Sequence, residues 1–249
     1  MSKGAAIVVE SLVKRYEEVT AVDGLSFEVE LGEIFGLLGP NGAGKSTTIN
    51  ILSGILEPTE GSATVLGFDV HRDPSKIKER IGVCPQEPAF FPYLTGRENI
   101  ELIGDLHLMP RKELRERTDA LLDSVGLGEA SSRRAGQYSG GMVRRTSLAM
   151  ALVHDPAIAF LDEPTVGLDP QSRRATWDLI SDLRERGRTV ILTTHYIEEA
   201  EELADRVGII DHGTLIALDT PKALMEEHSS GNLEDVFIKL TGRRIREEV

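Results

Sequence analysis

The chain has 249 residues, of which 40% are hydrophobic and 28% charged, a make-up that suits a soluble globular protein of one or two domains with a real core. Its formal net charge of −13 argues against a general nucleic-acid binder, which would show a basic face, so no nucleic-acid partner is expected. The single cysteine, Cys84, excludes an internal disulfide and reads as a small buried hydrophobe, and no run approaches the roughly 18 apolar residues of a membrane span.

In chain order, the opening "MSKGAAIVVE" has one Lys and a short apolar stretch. It lacks the longer apolar core of a signal peptide, so a cytoplasmic location is expected. Residues 22–29, "VDGLSFEV", alternate like a half-exposed strand. "EIFGLLG" (33–39) reads as a buried strand running into a Gly-rich turn, and "KSTTINILSGIL" (45–56) as the helix that follows. Residues 61–67 and 80–86 read as strands. From about 89 to 153 the pattern becomes helical: Pro110 stands near a helix start, and Leu114, Leu121, Leu122 and Val125 form an apolar stripe at helical spacing. The α/β pattern then resumes with a buried strand at 157–162, a helix at 170–186 and another buried strand at 189–195. Residues 207–218 read as a hairpin turning at Asp211, His212 and Gly213, and the tail from 221 is helical and charged. Leu233, Val236, Phe237 and Leu240 share one helical face, which suits packing of the tail onto the core. The resulting expectation is an α/β core (1–88 and 154–220), a helical insertion (89–153) and a C-terminal helical tail (221–249). The Arg pairs at 133/134, 144/145, 173/174 and 243/244 read as solvated helix faces or ion-pair donors.

Three stretches carry chemistry. "GPNGAGKST" (39–47) fits G-x-x-x-x-G-K-[ST] between a strand and a helix. Gly39, Gly42 and Gly44, with Asn41 and Ala43 between them, let the backbone curl so that N–H groups face phosphate oxygens. The helix beginning at Lys45, Ser46 and Thr47 adds its positive end. Lys45 supplies a cation for the β- and γ-phosphates, and Ser46 offers a hydroxyl to Mg²⁺. "AIAFLDEP" (157–164) ends a buried strand in Asp162, placed to hold the Mg²⁺ shell, and Glu163, placed to polarise a water against the γ-phosphate. "GQYSGGMVRR" (136–145) sets Ser139, Gly140 and Gly141 before a helical run, an arrangement that prepares a second anion site.

Over nearly its whole length, and in motif order, the chain resembles the ATP-binding cassette ATPases, the nucleotide-binding subunits of ABC transporters. "YSGGM" stands where that family carries "LSGGQ", with Tyr138 and Met142 departing from the usual Leu and Gln. The resemblance implies the phosphate-loop NTPase fold of that family, with an N-terminal antiparallel β subdomain and an inserted helical subdomain. It also implies that two subunits, here a homodimer, face head to tail. Ser139, Gly140 and Gly141 of one then close on the ATP held by the phosphate loop of the other. Tyr16 matches the aromatic that stacks on adenine, with Val22 flanking the base. Gln86 matches the loop glutamine near Mg²⁺ and the attacking water, His195 the switch histidine at the γ-phosphate, and Asp169 the loop crossing the dimer interface. The implied cofactors are ATP and Mg²⁺, and the implied partner is an integral membrane permease subunit at the cytoplasmic face. A soluble ATPase of the same type, acting on a non-transport partner, is the alternative. It would show paired cassettes, a long coiled-coil insertion or a basic face. The tail 232–243 and the stretch 54–70 resemble the drug-resistance exporters related to daunorubicin efflux, which points to export.

Overall fold

The computed structural model describes residues 4–242. Arg243, Arg244 and the end of the tail lie outside them.

Two sheets share the chain. The first is antiparallel, in the order β2-β1-β4-β5, built from β1 (Ala5–Tyr16), β2 (Val19–Glu30), β4 (Glu60–Val65) and β5 (Phe68–Asp69). β1 carries only a short apolar run broken by charged residues. Pairing supplies what its own pattern lacks: it lies between β2 and β4, hydrogen-bonded to both.

The second sheet runs β10-β9-β3-β8-β7-β6. β3 (Ile34–Leu38), β6 (Ile81–Cys84), β7 (Ile158–Asp162), β8 (Thr189–Thr194) and β9 (Arg206–Asp211) are parallel, and β10 (Thr214–Asp219) closes the edge antiparallel to β9. β3, β7 and β8 are buried at every position. Such continuous apolar runs belong to strands covered on both faces. Alternate residues feed two cores. Ile34, Leu38, Ala159, Leu161, Val190 and Leu192 pack with the helices. Phe35, Leu37, Ile158, Phe160 and Ile191 pack with the antiparallel sheet and helix α1 (Lys45–Leu52). Each such side chain, fully buried, contributes roughly 1.5–3 kcal/mol. Cys84 is wholly buried among them, and burial pushes its thiol pKa up, in keeping with a packing residue.

α1 is shorter than its pattern predicts. It ends at Ser53, because Gly54 takes a positive φ of 68° that breaks the helix. The helical insertion contains α3 (Gly96–Leu106), α4 (Arg111–Ser124) and α5 (Gly140–Leu152); the short α2 (Pro74–Lys78) precedes it. α3 opens with a capping box. The Thr95 side chain accepts from the Glu98 N–H, and the Glu98 carboxylate accepts from the Thr95 N–H at 2.7 Å. Pro110 caps α4, whose Leu114, Leu121 and Leu122, with Val125, are buried as the stripe predicts.

α6 (Pro170–Glu185) and α7 (Ile197–Leu203) flank β8 in sequence. The hairpin turns on His212 and Gly213, both at positive φ, the geometry of a two-residue turn. The tail forms α8 (Pro221–Glu227) and α9 (Leu233–Thr241), and α9 buries Leu233, Val236 and Phe237 completely while Leu240 packs at the margin. Among the described residues no helix is long and apolar enough to cross a membrane.

Candidate active site

Because β3, β6, β7 and β8 are parallel, their C-terminal ends lie along one edge, where open α/β sheets gather ligand groups. Register brings the chemistry together: Leu38 pairs with Thr194, Asp162 with Thr193, and Cys84 with Leu161. The phosphate loop after β3, the acidic pair ending β7, His195 after β8 and Gln86 after β6 therefore meet. A cavity of about 450 Å³ opens there, walled by residues 41–47 of the loop together with Gln86 and Glu163.

Two glycines in the loop are obligatory for its path. A Cβ at Gly39 would stand 2.3 Å from the Ile210 carbonyl oxygen. Gly44 has φ 100°, and its Cβ would meet the Ala21 carbonyl oxygen at 2.3 Å. Gly44 is also the N-cap of α1, with no side-chain cap and no acidic residue in the first turn. The first N–H groups of that helix are left for a ligand, next to the positive end of its dipole.

Lys45 is buried and donates to the carbonyls of Gly39 at 2.7 Å and Pro40 at 3.1 Å. It pairs with Glu163 at 3.3 Å. Glu163 is buried too, at a φ of 50° that turns its side chain off the strand line. His195 Nδ1 stands 3.2 Å from the Glu163 carboxylate, and the Gln86 amide donates to it at 3.5 Å. Burial pushes the Glu163 carboxyl up, but the bonds and charges of His195 and Lys45 outweigh it and hold it below the usual carboxylate range. The Lys45 ammonium is shifted down, because its burial outweighs the support of Glu163. Asp162, also buried, accepts a short hydrogen bond from the Thr193 hydroxyl, which fixes its carboxylate beneath the loop.

Among the described residues no three His, Cys, Asp or Glu side chains form a metal cage. The available donors are the Ser46 hydroxyl, the Gln86 amide oxygen and the Asp162 carboxylate. They fit a hard cation that takes oxygen ligands and leaves part of its shell to phosphate and water, as Mg²⁺ does.

Behind the site, Glu199 on α7 is fully buried and accepts from Thr165 Oγ1 at 2.8 Å and from Trp177 Nε1 at 3.0 Å. Burial raises its pKa above the ordinary 4.5, against the opposing pull of Thr194, Thr165, Trp177 and Arg173. A carboxyl raised on folding contributes most below its unfolded pKa, and that contribution is lost as pH rises. Glu199→Gln is therefore expected to raise the melting temperature at pH 8, by roughly 2–4 °C per kcal/mol relieved, and to leave it nearly unchanged at pH 4. Thermal melts of both proteins at the two pH values check this.

Other sequence expectations are not among the cavity-lining residues. Tyr16 is 44% exposed at the end of the β1–β2 hairpin, opposite Val19 in register, with Lys14 Nζ 5.2 Å from its ring. The Val22 side chain is fully buried in the core. Val19, Thr20 and Ala21 line the cavity, with His212 of the β9–β10 turn. Nothing in their residue types marked them; only the hydrogen bonds of Gly213 to Ala43 and of Asp23 to Gly213, which bring that turn to the loop, reveal them.

Ser139 and Gly140 are exposed and do not line the cavity. Ser139 caps α5, accepting from the Met142 N–H at 3.3 Å. Tyr138 tucks against Gly96 and donates its hydroxyl to the Ala130 carbonyl at 2.7 Å, so this departure serves packing within the helical insertion. Met142 packs against the core. Asp169 is exposed and caps α6 through the Ser172 N–H at 3.0 Å. Arg174 is an ion-pair donor as expected, 3.2 Å from Glu202. Arg144 is neither solvated nor ion-paired: it is buried and bonds to backbone carbonyls.

Comparison with known proteins agrees with this geometry. The ABC transporter family model matches residues 22–166. A daunorubicin/doxorubicin resistance ATP-binding protein of Streptomyces peucetius is 46% identical over 92% of this chain and 69% of its own length. A linearmycin resistance ATP-binding protein of Bacillus subtilis is 43% identical over 96% and 75%, and a Nod factor export ATP-binding protein of Rhizobium is 43% identical over 95% and 78%. Among solved structures, an ATP-binding subunit of an ABC transporter superposes with TM-score 0.88 at 26% identity, covering 95% of this chain and 99% of that one. A dimeric ATP-binding cassette in a post-hydrolysis state with ADP and Pi superposes with TM-score 0.79 at 28% identity, covering 86% and 98%. With a phosphate loop, a buried acidic pair and a histidine gathered at one sheet edge, and with relatives at this identity along nearly its whole length, the chain belongs to the ABC transporter family as an ATP-binding, ATP-hydrolysing subunit.

Proposed function

We propose that the chain energises export as one half of a head-to-tail homodimer with two ATP molecules between its subunits, seated on an integral membrane permease subunit at the cytoplasmic face. One observation carries this reading. The cavity that gathers Lys45, Glu163 and Gln86 does not include the exposed Ser139 helix end, which supports a reading in which a second chain supplies that end. The names of its relatives, drug resistance and Nod factor export, support export. Phe91 and Tyr93 before α3, and Leu106 and Leu108 at its end, are exposed at 53%, 84%, 71% and 89%. Apolar surface of this kind on the insertion 89–153 suits a protein partner.

In this reading the N–H groups of 39–47 and Lys45 hold the ATP phosphates, Tyr16 stacks on adenine, and Val19, Thr20 and Ala21 close the base side. Ser46, Gln86 and Asp162 would hold Mg²⁺, which when bound neutralises phosphate charge. The phosphates compete with Glu163 for Lys45. As that ion pair opens, Glu163 loses a charge that keeps its pKa low and becomes a better base. Glu163, ordered by Gln86, takes the proton from water as the water attacks the γ-phosphorus. The bond to the β–γ bridging oxygen breaks, and ADP leaves with the negative charge. His195 lies against Glu163 and the departing phosphoryl group. Ser139, Gly140 and Gly141 of the other subunit add a second helix N-terminus to the γ-phosphate, with Asp169 at the crossing. Preferential binding of ATP to the closed dimer drives the conformational change.

Mixing tests the trans arrangement. Lys45→Ala spoils the phosphate loop, and Ser139→Glu puts negative charge on the anion-binding helix end. Each protein alone is expected to be inactive. Their equimolar mixture is expected to regain about a quarter of the wild-type ATPase rate, because half the dimers of a two-fold assembly are mixed and each of these has one intact site. An inactive mixture, with mixed dimers present by native mass spectrometry, would mean that Ser139 does not act across the interface.

A further inference from the structure

Arg144 lies three residues beyond Gly141 on α5 and is 4% exposed. All its donors go to backbone carbonyls. Nη1 reaches Pro85 at 2.6 Å and Gln86 at 2.9 Å. Nη2 reaches Glu163 at 2.5 Å and makes a short bond to Asp162, and Nε reaches Pro164 at 3.2 Å. A guanidinium has five N–H groups in a rigid fork, and here the fork joins two segments that are distant in sequence, the residues after β6 and those after β7.

The second segment shows what the fork does. The carbonyls of Asp162, Glu163 and Pro164 are consecutive, and in a continuing strand successive carbonyls point to opposite sides. Three can face one cation only if the backbone curls, and the curl is at Glu163, with its φ of 50°. A non-glycine residue persists in that region only when its surroundings enforce it. The curl leaves the Glu163 side chain beside Lys45 and His195. The other arm holds the backbone of Gln86, whose side chain reaches the same carboxylate.

We propose that Arg144 is a positioning residue for hydrolysis: it holds the backbone that aims Glu163 and Gln86, and ties both to the helix whose N-terminus is Ser139. The charge matters as well as the shape, because converging carbonyl dipoles repel one another unless a cation lies between them. A neutral or single-headed side chain at this position leaves the phosphate loop intact and lets the glutamate drift. This deepens the reading of Glu163 as the general base and rests on it.

The test uses Arg144→Lys, which keeps the charge but has one nitrogen, and Arg144→Gln, which keeps a short polar head without charge. Thermal melts select the variant that folds. ATP affinity, by titration calorimetry, is expected to stay within about twofold of wild type, since Lys45 and residues 39–47 are untouched. The kcat is expected to fall roughly 10- to 100-fold, the scale on which misplacement of a catalytic group by about 1 Å acts, with KM little changed. A purely structural defect could mimic the lower kcat but not the next result. In single-turnover measurements with Glu163→Gln as background, replacing Arg144 is expected to lower the residual rate much less than it lowers the wild-type rate, because Glu163, one of the two groups it positions, has gone and only the aim of Gln86 is left to lose. An undiminished kcat in a folded Arg144 variant would overturn the proposal. So would an effect of full size in the Glu163→Gln background, which would mean that Arg144 acts apart from Glu163. A Glu163→Gln single variant as fast as wild type would instead sink the general-base reading, so the two failures are separable.

Discussion

Glu163→Gln is expected to lower ATP hydrolysis by roughly 10²- to 10⁴-fold, the range attributed to a general base, while ATP binding persists. The amide keeps the size of the side chain and can still accept from Gln86, whose amide lies 3.5 Å away, but it cannot take a proton. It also removes a buried negative charge from beside Lys45, so the ammonium is freed for phosphate and ATP affinity should rise. Because ATP remains uncleaved, the closed state should persist. The solution mass with ATP should be twice that without it, measured by light scattering. A rate close to wild type would remove Glu163 from the role of base and leave water activation to another group. A slow enzyme that stays monomeric with ATP bound would keep the base and show that closure needs the membrane subunit.

Much of this site was legible in sequence because the loop and the acidic pair are short contiguous patterns. The run 39–47 specifies its own backbone path through Gly39 and Gly44, and the apolar strand ending at Asp162 and Glu163 could stop nowhere else. Buried strands β3, β7 and β8 were equally plain, since both their faces are covered and every residue but the terminal Asp162 is apolar or small. Legibility failed where pairing or burial decides. β1 mixes charged and apolar residues and becomes a strand between two partners. The cavity-lining Val19, Thr20 and Ala21 precede the fully buried Val22 on the same strand, and residue type alone does not separate wall from core. Arg144 was the largest omission. Beside Arg145, in a helix with a polar start, it had the look of a surface cation. Only the positions of five carbonyls from two other segments turn it into an interior strap.

The helical insertion was legible as helical, though its role was not legible from its own residues. Its α5 begins at the exposed Ser139 and, three turns later, is buried among the core residues Leu148, Ala149 and Leu152. One helix thus has an exposed end and a body fixed in the core. In the proposed cycle, movement of the insertion strains the backbone beneath the nucleotide, and nucleotide state bears on the insertion through Gln86 and Arg144. In that cycle such a site couples hydrolysis to displacement without a dedicated hinge, because Arg144, on the helix proposed to recognise the partner, also holds the backbone of Gln86 and Glu163.

Lys45→Ala is expected to weaken ATP binding by at least about 100-fold, or about 2.8 kcal/mol at 1.4 kcal/mol per decade, and to abolish measurable turnover at millimolar ATP. Among the described residues the Lys45 ammonium is the one buried cation that lines the cavity, and in a low-dielectric pocket its attraction for a polyphosphate is not replaced by water. The variant should also reveal the ion pair that Lys45 makes in the free protein. The Glu163 pKa is held low on folding, so Glu163 contributes stability that is present above its unfolded pKa and lost as pH falls through the folded value. Removing Lys45 takes away one of the charges that depress it, and burial then pushes the carboxyl back up. The destabilisation caused by Lys45→Ala should therefore be larger at pH 7 than at pH 3.5, because acid protonates the carboxylate and removes the charge that the variant leaves without Lys45. Lys45→Ala, Glu163→Gln unfolding curves at the two pH values separate the contributions: with no carboxylate to strand, the alanine should cost little more at pH 7 than at pH 3.5. A pH-independent loss in the single variant would mean that Lys45 stabilises the free protein through the Gly39 and Pro40 carbonyls alone, and that the pairing with Glu163 has no energetic weight.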